Sequence, residues 1–152
     1  MIRVSILLSA YNGSKYIKEQ LDSLLNQSYK NIEIIVRDDG SSDNTIEILK
    51  SYNIKPIDTK INLGAMGSFE ELLKYALQNS NSDYFMFCDQ DDVWLENKVE
   101  VQVENIEKSN YNQNLPIVVF HDLILTNSNG VVISESFWDL HNFQVDKIDF
   151  ES

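Results

Sequence analysis

The chain has 152 residues, 43% of them apolar and 24% charged, which is enough for one domain with a hydrophobic core. Its 24 acidic residues against 12 basic ones give a formal net charge of −12, so no basic stripe exists to neutralise nucleic-acid phosphates or to hold an anionic membrane surface. A phosphate-bearing ligand would need a metal ion or backbone amides as its partner here.

Strand-like and helix-like segments alternate. The N-terminal run Val4 to Leu8 suits a first strand buried on both faces, and no small-residue cleavage site follows it as in a secretion signal. A polar turn covers Tyr11 to Ser14. Ile17, Leu21, Leu24 and Leu25 then recur at helical spacing. Ile32 to Val36 is the second strand, and the turn D-D-G-S-S-D-N-T after it is rich in helix-capping residues. Ile46 and Leu49 carry the second helix. A short third strand is expected at Lys55 to Asp58.

The segment I-N-L-G-A-M-G leads into a third helix, where Ser68 and Glu71 match a capping box. Phe69, Leu72, Leu73, Ala76 and Leu77 form its apolar stripe. Tyr84 to Cys88 is the fourth strand; Cys88, the only cysteine, reads as a small core residue with no disulfide or zinc cluster to join. Val99 to Glu104 alternates like a strand, but Val99, Val103 and Ile106 also share a helix face, and a helix over Leu95 to Lys108 is expected. Ile117 to Thr126 is a fifth strand, N-S-N-G at 127–130 a hairpin turn, and V-V-I-S its returning partner. No run approaches the roughly 20 apolar residues of a membrane span. The chain is expected to be cytoplasmic, at the inner face of the membrane in the full-length protein.

Alternation of this kind implies an α/β fold: a mostly parallel, Rossmann-like sheet flanked by helices, with a C-terminal β-hairpin. Ligands of such sheets bind beyond the carboxyl ends of the strands. With strand order 3-2-1-4, the turns at Tyr11-Asn12, Asp38-Asp39 and Asp89 to Asp92 face one crevice.

Those turns carry the chemistry. In D-Q-D-D-V-W, residues 89 to 94, three carboxylates lie within four positions, and like charges so close resist ionisation unless a cation joins them. Oxygen ligands of this kind suit Mg2+ or Mn2+, ions that commonly complete their shell with substrate phosphates. The structural alternative is that Asp91 or Asp92 caps the next helix. In R-D-D-G-S-S-D-N-T, turn and cap chemistry explains Gly40 through Asp43 but leaves Asp38 and Asp39, whose carboxylates could accept hydrogen bonds from a base or ribose. Tyr11 could stack on a base or stand as an exposed turn residue. The 61–67 segment lacks both common phosphate-loop patterns and reads equally well as a flexible approach to the helix. His121, inside an expected strand and followed by Asp122, is read first as a packed residue, with a role at the site as the alternative.

Taken in order, V-S-I-L-L-S-A-Y-N-G, I-I-V-R-D-D-G-S-S-D-N-T, N-L-G and F-C-D-Q-D-D-V-W resemble family 2 glycosyltransferases of the GT-A fold. The stretch V-V-F-H-D-L-I-L-T-N-S-N-G-V-V-I-S-E-S-F-W is most similar to the bacterial branch of rhamnosyltransferases and related polysaccharide-building enzymes. The resemblance implies a nucleotide-diphosphate sugar donor, UDP- or dTDP-linked, a divalent ion (Mn2+ or Mg2+), and a glycan or lipid-linked acceptor. It implies Tyr11 and Asp39 at the base, Asn12 and Asp38 in the nucleotide-binding turns, Asp89 near the ribose or sugar, Asp91 as metal ligand, and Asp92 in support. The implied reaction is sugar transfer to an acceptor hydroxyl with inversion at the anomeric carbon.

Two departures accompany it. Relatives often carry a basic residue after the N-x-G loop, where this chain has Gly67, Ser68 and Phe69. The family's catalytic base lies beyond the hairpin, so it is expected past Ser152, and residues 1–152 are expected to be a single nucleotide-sugar-binding domain from the N-terminal part of a larger enzyme. A nucleotide-binding module without turnover is the alternative for this piece. A nucleotidyltransferase would want a Gly-rich basic loop where Y-N-G-S-K stands. A receiver domain would want its acidic pair after the first strand, where Ser9-Ala10-Tyr11 stands.

Overall fold

The computed structural model describes residues 2–57, 61–109 and 115–143. Two compact units divide the chain, residues 1–109 and 110–152.

In the first unit, β1 (Val4–Ala10), β2 (Ile32–Asp38) and β3 (Tyr84–Cys88) form a parallel sheet of order β2-β1-β3. Val4 pairs with Ile32 on one side and with Tyr84 on the other. The helices are α1 (Ile17–Leu25), α2 (Thr45–Ser51), α3 (Gly64–Asn79) and α4 (Lys98–Lys108). The α/β class and parallel sheet are as expected. Parallel strands need crossovers, and the helices that supply them cover both faces of β1.

Successive side chains of a strand point to opposite faces, and β1 divides its residues accordingly. Val4, Ile6, Leu8 and Ala10 join a core with Ile17, Leu21, Leu24, Leu49, Cys88, Trp94, Val99 and Val103. Leu7 joins a smaller core with Leu72 and Ala76 of α3. The same face carries Ser5 and Ser9. Ser9 donates to Ser68 of α3 at 2.7 Å, and Ser5 donates to Glu33 at 2.6 Å. Small polar residues on this face are therefore consumed by hydrogen bonds rather than by packing, which is how a buried hydroxyl avoids its desolvation cost.

Several expected elements change. The third strand reduces to one parallel bridge, Ile57 beside Arg37, because Pro56 has no N–H to extend a ladder; Asp58 lies outside the described residues. That bridge keeps the expected order, with the fragment outside β2. Ser68 caps nothing: α3 starts at Gly64, which leaves Ser68 buried inside the helix. Leu77 and Leu25, assigned to apolar stripes, are exposed. α4 starts at Lys98 rather than Leu95, since the carbonyls of Leu95 and Glu96 are held from outside, by Gln27 Nε2 and by the amide of Ser28. Neither Asp91 nor Asp92 caps it; the residue before its first turn is Asn97.

In the second unit, β4 (Leu125–Thr126) and β5 (Val132–Ser134) pair antiparallel around the expected turn, with Gly130 at φ 75°. The strand expected from Ile117 shrinks to Leu125–Thr126 because its partner is only three residues long: the chain leaves the ladder at Ser134 and enters α5 (Phe137–His141). Ser136 caps α5 by accepting from Asp139 N at 2.9 Å. Among the described residues, no helix is long and apolar enough to cross a membrane.

Candidate functional site

All three acidic or polar turns singled out by sequence follow the carboxyl ends of strands in the first unit, and hydrogen bonds join them. Asp39 N donates to Ala10 O at 2.7 Å, continuing the β1–β2 register past the strand ends. Asn12 takes a left-handed conformation, φ 48°, which a short polar side chain tolerates. That conformation sets its N–H toward Ser41 Oγ at 2.8 Å, while its Oδ1 accepts from Ser42 N at 2.8 Å. Gly13 N donates to Thr45 Oγ1 at 2.8 Å, and Ser14 N to Asp43 Oδ2 at 3.0 Å. The first turn is thus laced to the second along its whole length.

Its other side is laced to the acidic turn by Gln90. Tyr11 N donates to Gln90 Oε1 at 2.8 Å, and Gln90 Nε2 donates back to Tyr11 O at 3.0 Å. A Cβ on Gly13 would lie 2.1 Å from Gln90 Oε1, so only a glycine lets this amide lie so close. The Tyr11 side chain stays exposed at 49%.

Asp38 spends its carboxylate on its own turn. It accepts from Gly40 N at 3.1 Å, from Ser41 N at 2.9 Å and from Ser41 Oγ. Gly40 supports this with φ 88°, a conformation costly for any residue with a Cβ. Asp39 is buried and also occupied. It pairs with the buried Arg37 guanidinium and accepts from Leu63 N at 2.9 Å and Gly64 N at 2.7 Å. Burial alone would raise its pKa, but the amides and Arg37 together hold it below the usual carboxylate range. Leu63 and Gly64 begin α3, which has no side-chain cap of its own. Asp39 supplies one from 24 and 25 residues away, a negative charge at the positive end of the helix.

Asp89, Asp91 and Asp92 are exposed. Local desolvation raises the pKa of Asp89, and the charges of Asp92 and Asp91 raise it further. A cation among them would relieve that strain. Among the described residues, no group of three or more His, Cys, Asp or Glu side chains gathers as a ready cage. Asp89, Asp91 and Asp92 offer only carboxylate oxygens, the donor type that Mg2+ and Mn2+ take one or two of when ligand oxygens and water complete the shell. Behind this turn, Trp94 is buried with Lys98 Nζ 3.9 Å from its ring centroid. Trp94 N donates to Ser23 Oγ at 3.1 Å, which anchors the end of the acidic turn on α1, and Val99 N of α4 donates to Oε1 of the buried Gln27, just past α1, at 3.1 Å.

Cys88 behaves as a core thiol. Burial pushes its pKa up to about 12. In the second unit, Asp122 accepts from Ser136 Oγ and from Trp138 N at 3.0 Å, which ties the 122–124 backbone to the start of α5. His121 Nδ1 lies 2.7 Å from Asp122 O. A Cβ on Gly67 would meet Leu63 Cβ at 2.7 Å.

Sequence reading located the acidic residues but passed over Arg37, Gln90, Thr45, Gln27 and Lys98. No local pattern marks Gln90, Thr45 or Gln27, because the partners named above for them, Tyr11, Gly13 and Val99, lie far away in sequence, and the second prong of Arg37 reaches Ile61 O, 24 residues on.

The sequence profile described as Glycosyl transferase family 2 matches residues 5–143. The chain belongs to glycosyl transferase family 2. Similar curated members include an uncharacterized glycosyltransferase of Rickettsia typhi, 42% identical over 105 residues, covering 69% of this chain and 32% of that protein. Another is the Escherichia coli UDP-Glc:alpha-D-GlcNAc-diphosphoundecaprenol beta-1,3-glucosyltransferase WfgD, 33% identical over 132 residues, covering 85% and 49%. Among solved structures, residues 1–349 of S. aureus TarS in complex with UDP match with TM-score 0.60 and 28% identity, covering 70% of this chain and 32% of that one. The mannosyltransferase PcManGT of Pyrobaculum calidifontis, solved with GDP-Man and Mn2+, matches with TM-score 0.59 and 21% identity, over 67% and 31%. That last likeness shows the fold alone. The chain spans between 17% and 32% of the length of the three Rickettsia relatives at 42% identity.

Proposed function

We propose that this chain is the donor-binding half of a nucleotide-sugar glycosyltransferase that acts in bacterial polysaccharide or cell-surface glycan synthesis. The observation that carries the reading is the lacing of three turns, by Asn12, Thr45 and Gln90, at one edge of the parallel sheet. Ligands of such sheets occupy that edge. The net charge of −12 makes an anionic donor a poor fit unless a cation accompanies it.

In this reading the exposed Tyr11 ring lies against the base, with Asn12, Asp38 and Asp39 shaping that end of the crevice. Asp89 faces the ribose or sugar, Asp91 holds Mn2+ or Mg2+, and Asp92 supports it. The ion would neutralise charge on the departing diphosphate. The chain's own work is to orient the donor so that an acceptor hydroxyl meets the anomeric carbon from the far side, which inverts its configuration. We assign no catalytic base to residues 1–152. WfgD and TarS, by their names and ligands, favour a UDP-linked donor, and WfgD favours a lipid-linked acceptor. The V-V-F-H-D-L stretch favours the rhamnosyltransferase-like branch and hence dTDP.

Calorimetric titration with UDP, dTDP and GDP, each with and without Mn2+, tests the reading. Binding of one nucleotide that strengthens with Mn2+ is expected. Failure of all three, or binding indifferent to the ion, overturns it.

A further inference from the structure

We infer that Arg37 is a positioning residue: its guanidinium sets Asp39 and the opening of α3 as one rigid unit beside the nucleotide. This rests on the donor-binding reading above but concerns a residue that reading does not use. Three observations support it. Arg37 is 3% exposed, an unusual depth for a charged side chain. It spans two elements, pairing with Asp39 through Nη1 and donating from Nη2 to Ile61 O at 3.0 Å. Asp39 in turn accepts from Leu63 N and Gly64 N.

The arrangement is a closed circuit. The fork of Arg37 holds a carboxylate with one prong and the 61–64 backbone with the other; the carboxylate holds the same backbone two and three residues on. A planar guanidinium can do this because its donors diverge in a fixed geometry, whereas an ammonium is a single point. Burial of both partners means that removing one leaves an uncompensated charge. The Asp39 carboxylate, already saturated by the circuit, has a single permitted orientation, and so has the helix end next to it. Donor-binding groups on the two elements would then move together or not at all.

The test compares the wild-type chain with Arg37→Lys and Arg37→Met by amide hydrogen exchange and by UDP titration in the presence of Mn2+. Exchange protection at Leu63 and Gly64 should fall about tenfold or more in Arg37→Met, and less in Arg37→Lys, while amides of the β1–β2 ladder keep theirs. UDP should bind about tenfold more weakly to Arg37→Met, the scale of one charge-assisted hydrogen bond, with Arg37→Lys between. A structural role alone would lower the melting temperature and this exchange protection while leaving UDP affinity unchanged. Wild-type protection at Leu63 and Gly64, or unchanged UDP affinity, overturns the inference. Should Arg37→Met fail to fold, Arg37→Lys decides by the same criteria. If the wild-type chain binds no nucleotide, the donor-binding reading fails, and the exchange data still decide whether Arg37 locks this segment.

Discussion

Replacing Gly13 by Ala probes the joint between the first turn and the acidic turn. The new Cβ would stand 2.1 Å from Gln90 Oε1 and 2.6 Å from its Cδ. Both atoms end a flexible side chain, so Gln90 would swing away rather than force the backbone apart. The loss is then the reciprocal pair with Tyr11, two hydrogen bonds of 2.8 and 3.0 Å. At a net value of about 0.5–1.5 kcal/mol per neutral bond, and with partial access to water, the pair amounts to about 1–2 kcal/mol. Gln90→Ala should cost about the same, and Gly13→Ala in a Gln90→Ala background should cost almost nothing more. Urea denaturation of the four proteins of this cycle measures the coupling directly. Nucleotide titration in parallel should show weaker binding in each single variant, because the Tyr11 backbone and Asp89 would no longer be held in register. Simple additivity of the two substitutions would refute the argument, since it would mean that Gly13 and Gln90 act on separate parts of the molecule.

Other expectations follow from other parts of the structure. Asp91→Asn should leave the fold intact by circular dichroism and make nucleotide affinity insensitive to Mn2+; retained sensitivity would move the ion to another carboxylate. Leu72→Ala empties a fully buried position between α3 and Leu7 and should destabilise the chain by about 2–5 kcal/mol in urea melts. Glu33 is partly buried, which would raise its pKa, but hydrogen bonds from Ser5, Ser80 and Ser82 and the charge of Arg3 hold it below the usual range. A depressed folded-state pKa contributes stability that is present above the unfolded value, about 4.3, and is lost as pH falls through the folded value. The stability gap between wild type and Glu33→Gln should therefore be wider at pH 7 than at pH 3; an equal gap would remove the carboxylate's charge from the account.

Patterns of short range carried much of this molecule. Apolar runs and 3.6-residue spacing depend on neighbours along the chain, so β1, β2, β3, α1 and α4 were legible, as was the turn at Gly40. That the three turns meet at one edge followed from topology, because parallel strands joined by helices must end on the same edge. Expectations failed where a distant partner decided the outcome. Ser68 had every local mark of a cap, yet Asp39 capped α3 one turn earlier. Leu25 and Leu77 fitted their helix stripes but found no facing surface. The strand from Ile117 had the right composition but only a three-residue partner.

The sequence by itself determined where carboxylates follow strands, and hence that acidic turns would gather at one edge of the sheet. Tertiary structure alone decided which of those carboxylates are free. Asp38 is engaged by its own turn and Asp39 by Arg37 and the amides of α3, while Asp89, Asp91 and Asp92 stay open to solvent. The physical reason is that a carboxylate is satisfied by whatever donors folding brings within about 3 Å: for Asp38 these lie in its own turn, but for Asp39 the amides of Leu63 and Gly64 come from a helix start that no local pattern connects to it.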